Sequence, residues 1–376
     1  MKIGVRGKKA FLRKVSSPAI LTMSKFLSKK YAALTPYTPG EQPKEKKYNK
    51  LNTNESPFPP SDKAIAAALT AAKSLQLYSD PEAKKLCEKL AEVLGVGMDC
   101  VLPTNGSDEI LNFAFMAFCD EEHPAIFADI TYGFYSVFAD LNRVPYVIKP
   151  LRDDFTINVD DYCGNCGTVF IANPNAPTGI LLGLDEIERI VKSNPDNVVV
   201  IDEAYIDFGG ESAVKLIEKY DNLLVTQTFS KSRSMAGARL GFGVACPSLI
   251  ADLNTVKYST NPYNVNSMTM AAGIGVLSDE EYTRSNCKTV MENRAWTEAE
   301  LKKLGFEMTD SKANFVFAKH ASLDGGELYA RLRERGILVR HFTKDKIAQY
   351  NRITVGSMEQ MEDLISAISD ILEETK

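Results

Sequence analysis

The stretch "NLLVTQTFSKSRSMAGARLGF", residues Asn222 to Phe242, opens on an unbroken apolar run, Leu223–Val225, and then changes character. Hydroxyls follow at Thr228 and Ser230, a lysine at Lys231, several small residues, and an arginine at Arg239. A continuous Leu/Val run, unlike one that alternates apolar with polar, predicts a strand covered on both faces, and so a parallel sheet. A lysine beyond such a strand, near a second cation and shielded from water, has its ammonium form disfavoured. Its neutral amine can then attack an electrophile.

Two other runs behave alike. "TVFIA" (168–172) ends in "NPNAPTG" (173–179), and "NVVVI" (197–201) ends in "DEAY" (202–205). Helical stretches such as "LDEIERIVKS" separate the runs. In an open α/β sheet ligands bind beyond the carboxyl ends of the parallel strands. Asp202, Tyr205, an asparagine loop and Lys231 are therefore expected to share one crevice. A fourth element, "VLPTNGSDEILNFAFMAF" (101–118), turns at a glycine into an apolar helix whose free N–H groups and positive dipole end suit an anion, most naturally phosphate. A nucleophilic amine, an acid able to pair with a protonated ring nitrogen, a tyrosine for a ring oxygen and a phosphate cradle are together the demand of pyridoxal 5′-phosphate.

The chain resembles the pyridoxal-phosphate aminotransferases of the aspartate aminotransferase superfamily, and within it the histidinol-phosphate branch. The resemblance rests on "LTPY", "LNTNESP", "LYSDPE", "TNGSDE", "TYGFYSV", "NPNAPTG", "IDEAY", "TFSKSRSMAGARLGF" and "RITVG", which follow one another in family order over nearly all of the chain after residue 23. It implies the fold type I architecture: α/β, with a large domain built on a mostly parallel sheet plus a smaller α+β domain. Lys231 would hold the cofactor through its aldehyde and move the substrate proton. Asp202 would pair with the ring nitrogen, Tyr205 with the ring oxygen, and Tyr132 would stack on the ring. Gly106, Ser107, Asp108, Thr228, Ser230 and Arg239 would hold the phosphate. The family places an asparagine immediately before Pro-Thr-Gly. Here that position is Ala176, which leaves Asn175 as the substitute for the ring oxygen only if the loop shifts.

The same resemblance assigns substrate recognition to Arg352 of "RITVG", Arg340 of "GILVRHF", Tyr37 of "LTPY" and Tyr78 of "LYSDPE", the last reaching the site of a neighbouring subunit in a homodimer. L-Histidinol phosphate has no carboxylate, so its phosphate dianion would dock on paired guanidiniums. The same pair would take the distal charge of 2-oxoglutarate or glutamate in the other half-reaction. An aromatic amino acid aminotransferase or a threonine-phosphate decarboxylase on the same fold is the alternative. A non-catalytic sensor on this fold is the rival from another class; it would carry an added DNA-binding domain, for which the basic stretch before residue 40 is too short.

At 376 residues the chain is long enough for more than one core. The expected division is a basic extension at 1–22, an arm at 23–60 that joins the small domain, a large domain at 61–274 and a small domain at 275–376. The extension carries many Lys and Arg and no acid, and reads as upstream sequence before Met23 or as a transit segment. A net charge of −5 gives no reason to expect nucleic acid or an anionic membrane as partner, and no apolar run reaches the ~20 residues of a membrane span. Seven cysteines at irregular spacing fit a reducing cytoplasm. Cys163 and Cys166 have C-x-x-C spacing without a second pair or nearby histidines, so no metal site is expected.

Overall fold

The apolar runs become the middle of a seven-stranded sheet in the computed structural model, which describes residues 24–35 and 37–375. The strands are β1 (Val101–Thr104), β2 (Ala125–Ala128), β3 (Tyr146–Lys149), β4 (Thr168–Ala172), β5 (Val199–Asp202), β6 (Leu223–Thr228) and β7 (Gly241–Ala245). Their spatial order is β1-β7-β6-β5-β4-β2-β3. Neighbours run parallel from β6 through β3, and only β7 opposes its neighbours, β1 and β6. The Lys231 loop between β6 and β7 holds only a 3₁₀ turn, Ala236–Ala238, so the chain re-enters the sheet reversed, with no crossover helix.

Both faces of the central strands are covered, and their two-residue period sorts the side chains between two cores, while the edge strand β3 stays exposed. Val169, Ile171, Val199, Ile201, Leu223 and Val225 pack on one face with Leu86 and Leu90 of the helix Lys84–Leu94. Phe170, Val200 and Leu224 pack on the other with Ile110, Phe113 and Phe115 of the helix Ser107–Phe118. This is why these strands read as unbroken apolar runs. The flanking helices follow their terminal signals. Ser61 caps Asp62–Ala71, its Oγ accepting the Ala64 N–H at 3.3 Å, and left-handed Gly95 (φ 71°) ends Lys84–Leu94.

A long helix, Glu280–Lys303, leads into a four-stranded antiparallel sheet with the order Arg340–His341, Asn351–Thr354, Phe315–His320, Phe306–Met308. The helices Gly325–Glu334 and Met358–Glu374 cover it. The arm runs alongside: Asn49–Lys50 pairs parallel with Ile337–Leu338 in a separate two-stranded sheet, and the Thr354 N–H of the four-stranded sheet donates to Leu51 O at 2.9 Å. Residues 37–375 belong to one compact unit. Ser24–Thr35 belongs to a separate unit of turns, and the basic extension expected at 1–22 lies outside the described residues.

Candidate active site

A cavity of about 470 Å³ opens at the carboxyl ends of β4, β5 and β6. Its wall includes Ser107, Asp108, Tyr132, Ala176, Asp202, Tyr205, Thr228, Ser230, Lys231 and Arg239. Residues separated by more than a hundred positions in sequence meet here because parallel strands all end at the same edge of the sheet.

Asp202 is the last residue of β5 and only 5% exposed. Its Oδ2 accepts the Tyr135 hydroxyl at 3.0 Å and its Oδ1 the Thr226 hydroxyl at 3.3 Å. Burial pushes this carboxyl up to about 6, the two hydroxyls pulling the other way. Its hydrogen-bond partners among the described residues are neutral hydroxyls, so a cationic ligand group against it would meet an unneutralised acid. The next residue, Glu203, points to the opposite side of the strand. There Ser212 Oγ and the Ala213 N–H donate to it at 2.6 Å each and Gln227 Nε2 at 2.9 Å.

Tyr205 follows on the turn after β5, with its ring edge-on to Phe315. Its hydroxyl accepts from Asn54 Nδ2 at 2.9 Å. Asn54 is itself locked: it stands at φ 56°, takes the Thr354 hydroxyl on Oδ1 at 3.0 Å, and gives its N–H to the same hydroxyl oxygen at 2.9 Å. Lys231, half-buried, directs Nζ to Thr53 O at 3.1 Å and lies 5.8 Å from the centre of the Tyr205 ring.

The anion cradle forms at the start of the helix Ser107–Phe118. Gly106 has φ 80°, and a Cβ there would stand 2.5 Å from Arg239 Nη2, so a bare backbone is what lets the guanidinium close over the helix end. Arg239 Nη2 reaches Asp108 Oδ2 at 3.2 Å, and Nη1 reaches Ser230 Oγ at 3.4 Å. Thr228 Oγ1 is 3.0 Å from Ser230 Oγ. Tyr132 donates to Asp108 Oδ1 at 2.6 Å, which turns its ring into the cavity wall.

Arg340 and Arg352 face each other directly across an antiparallel strand pair. Both guanidiniums lie within 6 Å of the Phe342 ring, at 5.8 and 5.9 Å. Arg352 Nη2 donates to Asn52 O at 3.1 Å, while its Nε is buried without a protein partner. Burial pulls the Arg352 guanidinium below its ordinary range, and the charge of Arg340 adds to that. Tyr37 packs against Phe134, ring centres 4.3 Å apart.

Tyr37, Arg340 and Arg352 do not line the cavity, and two further expected residues stand elsewhere. Asn175 does not enter the cavity: its amide donates to Ile130 O and Thr178 Oγ1, both at 3.0 Å, and Ala176 faces the wall in its place. Tyr78 is 84% exposed, stacked on Tyr263 with ring centres 4.6 Å apart, and does not line the cavity of its own chain. Conversely, Tyr135 and Asn54 hold two of the principal groups and were not singled out by sequence. Tyr135 reads as one more core aromatic in "TYGFYSVF", and only a left-handed backbone marks Asn54. Among the described residues the seven cysteines are free and no group of three or more His, Cys, Asp or Glu could hold a metal ion.

Residues 46–368 match the family model for aminotransferase class I and II. The chain belongs to this family. The aminotransferase is 48% identical over 352 residues to the histidinol-phosphate aminotransferase of Brachyspira hyodysenteriae, covering 93% of this chain and 99% of that one. It is 49% identical over 355 residues to histidinol-phosphate aminotransferase 2 of Dechloromonas aromatica, with the same coverage. Its fold matches the histidinol-phosphate aminotransferase of Sinorhizobium meliloti in complex with pyridoxal-5′-phosphate, with a TM-score of 0.86, 22% identity, and 94% and 100% of the two chains covered.

Proposed function

We propose that this aminotransferase uses pyridoxal 5′-phosphate to move the amino group of L-histidinol phosphate to 2-oxoglutarate, giving imidazole acetol phosphate and glutamate in histidine biosynthesis. The likeness to curated relatives at 48–49% identity over 93% of the chain supports the reaction. The single structural observation that carries the substrate is the direct cross-strand pairing of Arg340 with Arg352.

The cavity fits the cofactor on two counts: a buried acid whose partners are hydroxyls, and a cradle that a Cβ at residue 106 would crowd. When bound, pyridoxal phosphate supplies an electrophilic aldehyde and a cationic ring that draws electrons from the substrate carbon. Lys231 would provide the amine that holds it and would move the proton at the substrate carbon. Asp202 keeps a proton on the ring nitrogen through a charge-assisted hydrogen bond. Tyr205, positioned by Asn54, holds the ring oxygen, the part the family asparagine would share and Ala176 cannot. Gly106, Ser107 and Asp108, with Thr228, Ser230 and Arg239, hold the phosphate, and Tyr132 covers the ring face. Arg340 and Arg352 orient the substrate's phosphate in one half-reaction and the distal carboxylate of glutamate in the other, and Tyr37 contacts the substrate from the arm.

The working form is a homodimer in the cytoplasm, in which Tyr78 of each chain completes the other's site. Leu69, Leu75, Leu77 and Tyr78, 53–84% exposed along one stretch, would be covered by such a partner. Residues 61–274 then act as the cofactor-binding domain and 275–376, with the arm, as the smaller domain. Among the described residues no helix is long and apolar enough to cross a membrane.

The deciding experiment is a substrate panel with 2-oxoglutarate as acceptor. Histidinol phosphate is expected to give the highest kcat/KM, and Lys231→Ala to abolish turnover. Higher kcat/KM on phenylalanine or tyrosine would replace this reading with an aromatic amino acid aminotransferase.

A further inference from the structure

Lys231 stands in a loop that is held from both sides by residues lying outside the cavity wall. The loop closes on itself where the Met235 N–H donates to Phe229 O at 2.9 Å, and inside it the Ser234 N–H donates to Lys231 O at 3.3 Å. The two residues after the lysine are both tied to one oxygen: Ser232 Oγ donates to Asp207 Oδ2, and Arg233 Nη1 donates to it at 3.1 Å. The Arg233 side chain is only 11% exposed and its guanidinium lies 5.2 Å from the Phe229 ring centre, whereas the Asp207 side chain is 35% exposed, so the pair is sheltered on the arginine side alone. On the other side Ser234, at φ 56°, donates to Ser56 Oγ of the arm at 2.8 Å.

Asp207 belongs to the 3₁₀ turn Ile206–Phe208, which starts at Tyr205, and the Phe208 N–H donates to Tyr205 O at 3.1 Å. One short segment, "DEAYID", therefore carries Asp202 and Tyr205 on the cavity wall and Asp207 behind it. Each is two or three residues from the next, so a displacement of the lysine loop relative to that segment is resisted at Asp207.

We propose that Asp207 is a positioning residue for the transfer reaction: by holding Ser232 and Arg233 it fixes the backbone of Lys231 against the turn that bears Tyr205, and so fixes where Nζ stands. The inference rests on the reading that Lys231 carries the cofactor. Removing a supporting partner of this kind commonly costs about 10–100-fold in activity, because a ~1 Å misplacement of a reacting atom is enough. An ordinary half-exposed ion pair would change almost nothing.

The test uses the full-length, cofactor-loaded enzyme. Asp207→Ala is expected to lower kcat about 10–100-fold while KM for both substrates changes less than about 3-fold. It should also move the pH midpoint of the visible absorbance change of the lysine-bound cofactor, and speed loss of cofactor on dialysis. Asp207→Asn keeps an acceptor oxygen for Ser232 and Arg233 and should recover most of the loss. If Asp207→Ala does not fold, the double variant Ser232→Ala with Arg233→Met removes both donors, leaves the carboxylate, and must reproduce the effects. The proposal is overturned if whichever variant folds keeps kcat within about twofold and the absorbance midpoint within about 0.2 pH unit of the parent. It is also overturned if kcat falls with no change in midpoint or dialysis rate, or if Asp207→Asn is no better than Asp207→Ala. Lys231→Ala separates the two ideas: cofactor still fixed to that variant by borohydride would remove the assignment of Lys231 itself, whatever Asp207 does.

Discussion

Arg340 and Arg352 are direct partners across two antiparallel strands, so two like charges share one face with the Phe342 ring against both. Like charges placed directly opposite one another destabilise a sheet. Here Asn52 O satisfies only part of Arg352, and its Nε is left buried without a protein partner. The arrangement becomes favourable when an anion lies between the guanidiniums.

Replacing one member of the pair should therefore act in opposite directions on stability and on binding. Arg340→Gln is expected to leave the ligand-free protein as stable as the parent or slightly more so, because it relieves the repulsion. The same change should lower kcat/KM for histidinol phosphate about 10–100-fold, the loss of a charge-assisted contact worth ~1.5–3 kcal/mol. Thermal melts with and without inorganic phosphate, beside initial rates, check both halves. A phosphate-induced rise in Tm as large in the variant as in the parent would exclude the pair as the docking point.

Asp202 makes the cofactor-free protein sensitive to pH. Its carboxyl is raised to about 6 in the folded state against 3.8 when free, so the folded form retains the proton to higher pH than the unfolded form. Stability from this group is then fully present below about 4 and is lost as pH rises through about 6, up to ~3 kcal/mol in all. Asp202→Asn cannot ionise, so the difference in unfolding free energy between variant and parent should grow over that window and then level off. Urea titrations of the cofactor-free proteins at pH 4.5 to 8 measure it. Adding cofactor should shrink the difference or reverse it, since a ring cation stabilises the ionised acid.

Tyr135 bears on the same proton. Tyr135→Phe removes the donor at 3.0 Å and should raise the Asp202 carboxyl further. The acid limb of the pH profile for cofactor affinity should then move upward, with a loss of about tenfold at pH 7. An unchanged profile would mean that Thr226 alone sets the carboxylate.

Gly106→Ala should separate anion binding from folding. At φ 80° and ψ 164°, a region essentially open to glycine alone, an alanine costs about 1–3 kcal/mol, and the new Cβ would displace the flexible end of Arg239. The expected result is a small drop in Tm and a much larger loss of cofactor affinity, measured by spectroscopic titration. Equal losses in both would point to a purely structural glycine.

Tyr78 tests the dimer. Lys231→Ala and Tyr78→Ala chains are each expected to be poorly active alone, yet mixing them after mild dissociation should restore about a quarter of parent activity. Half of the randomly formed dimers would then contain one intact site. No recovery on mixing, with hybrid dimers demonstrated, would place Tyr78 outside the partner's site.

Strands buried on both faces are legible along the chain, because unbroken Val, Ile and Leu runs such as 199–201 leave no polar side for water. The order in which an acid, a tyrosine, a lysine and an arginine arrive at strand ends is legible too, since those groups lie a few residues beyond recognisable runs. Contacts between distant segments were a different matter. Tyr135 reaches Asp202 across 67 positions and Asn54 reaches Tyr205 across 151, and nothing local distinguishes either from an ordinary core or loop residue. The asparagine loop shows the same limit. Asn175 was the nearest candidate in sequence, but its amide is satisfied by Ile130 O and Thr178 Oγ1, which turns it away and leaves Ala176 at the wall. These contacts come from the fold, because a hydrogen bond is settled by which partner the folded backbone brings within about 3 Å, and that distance is set by sheet register and turn geometry rather than by position along the chain.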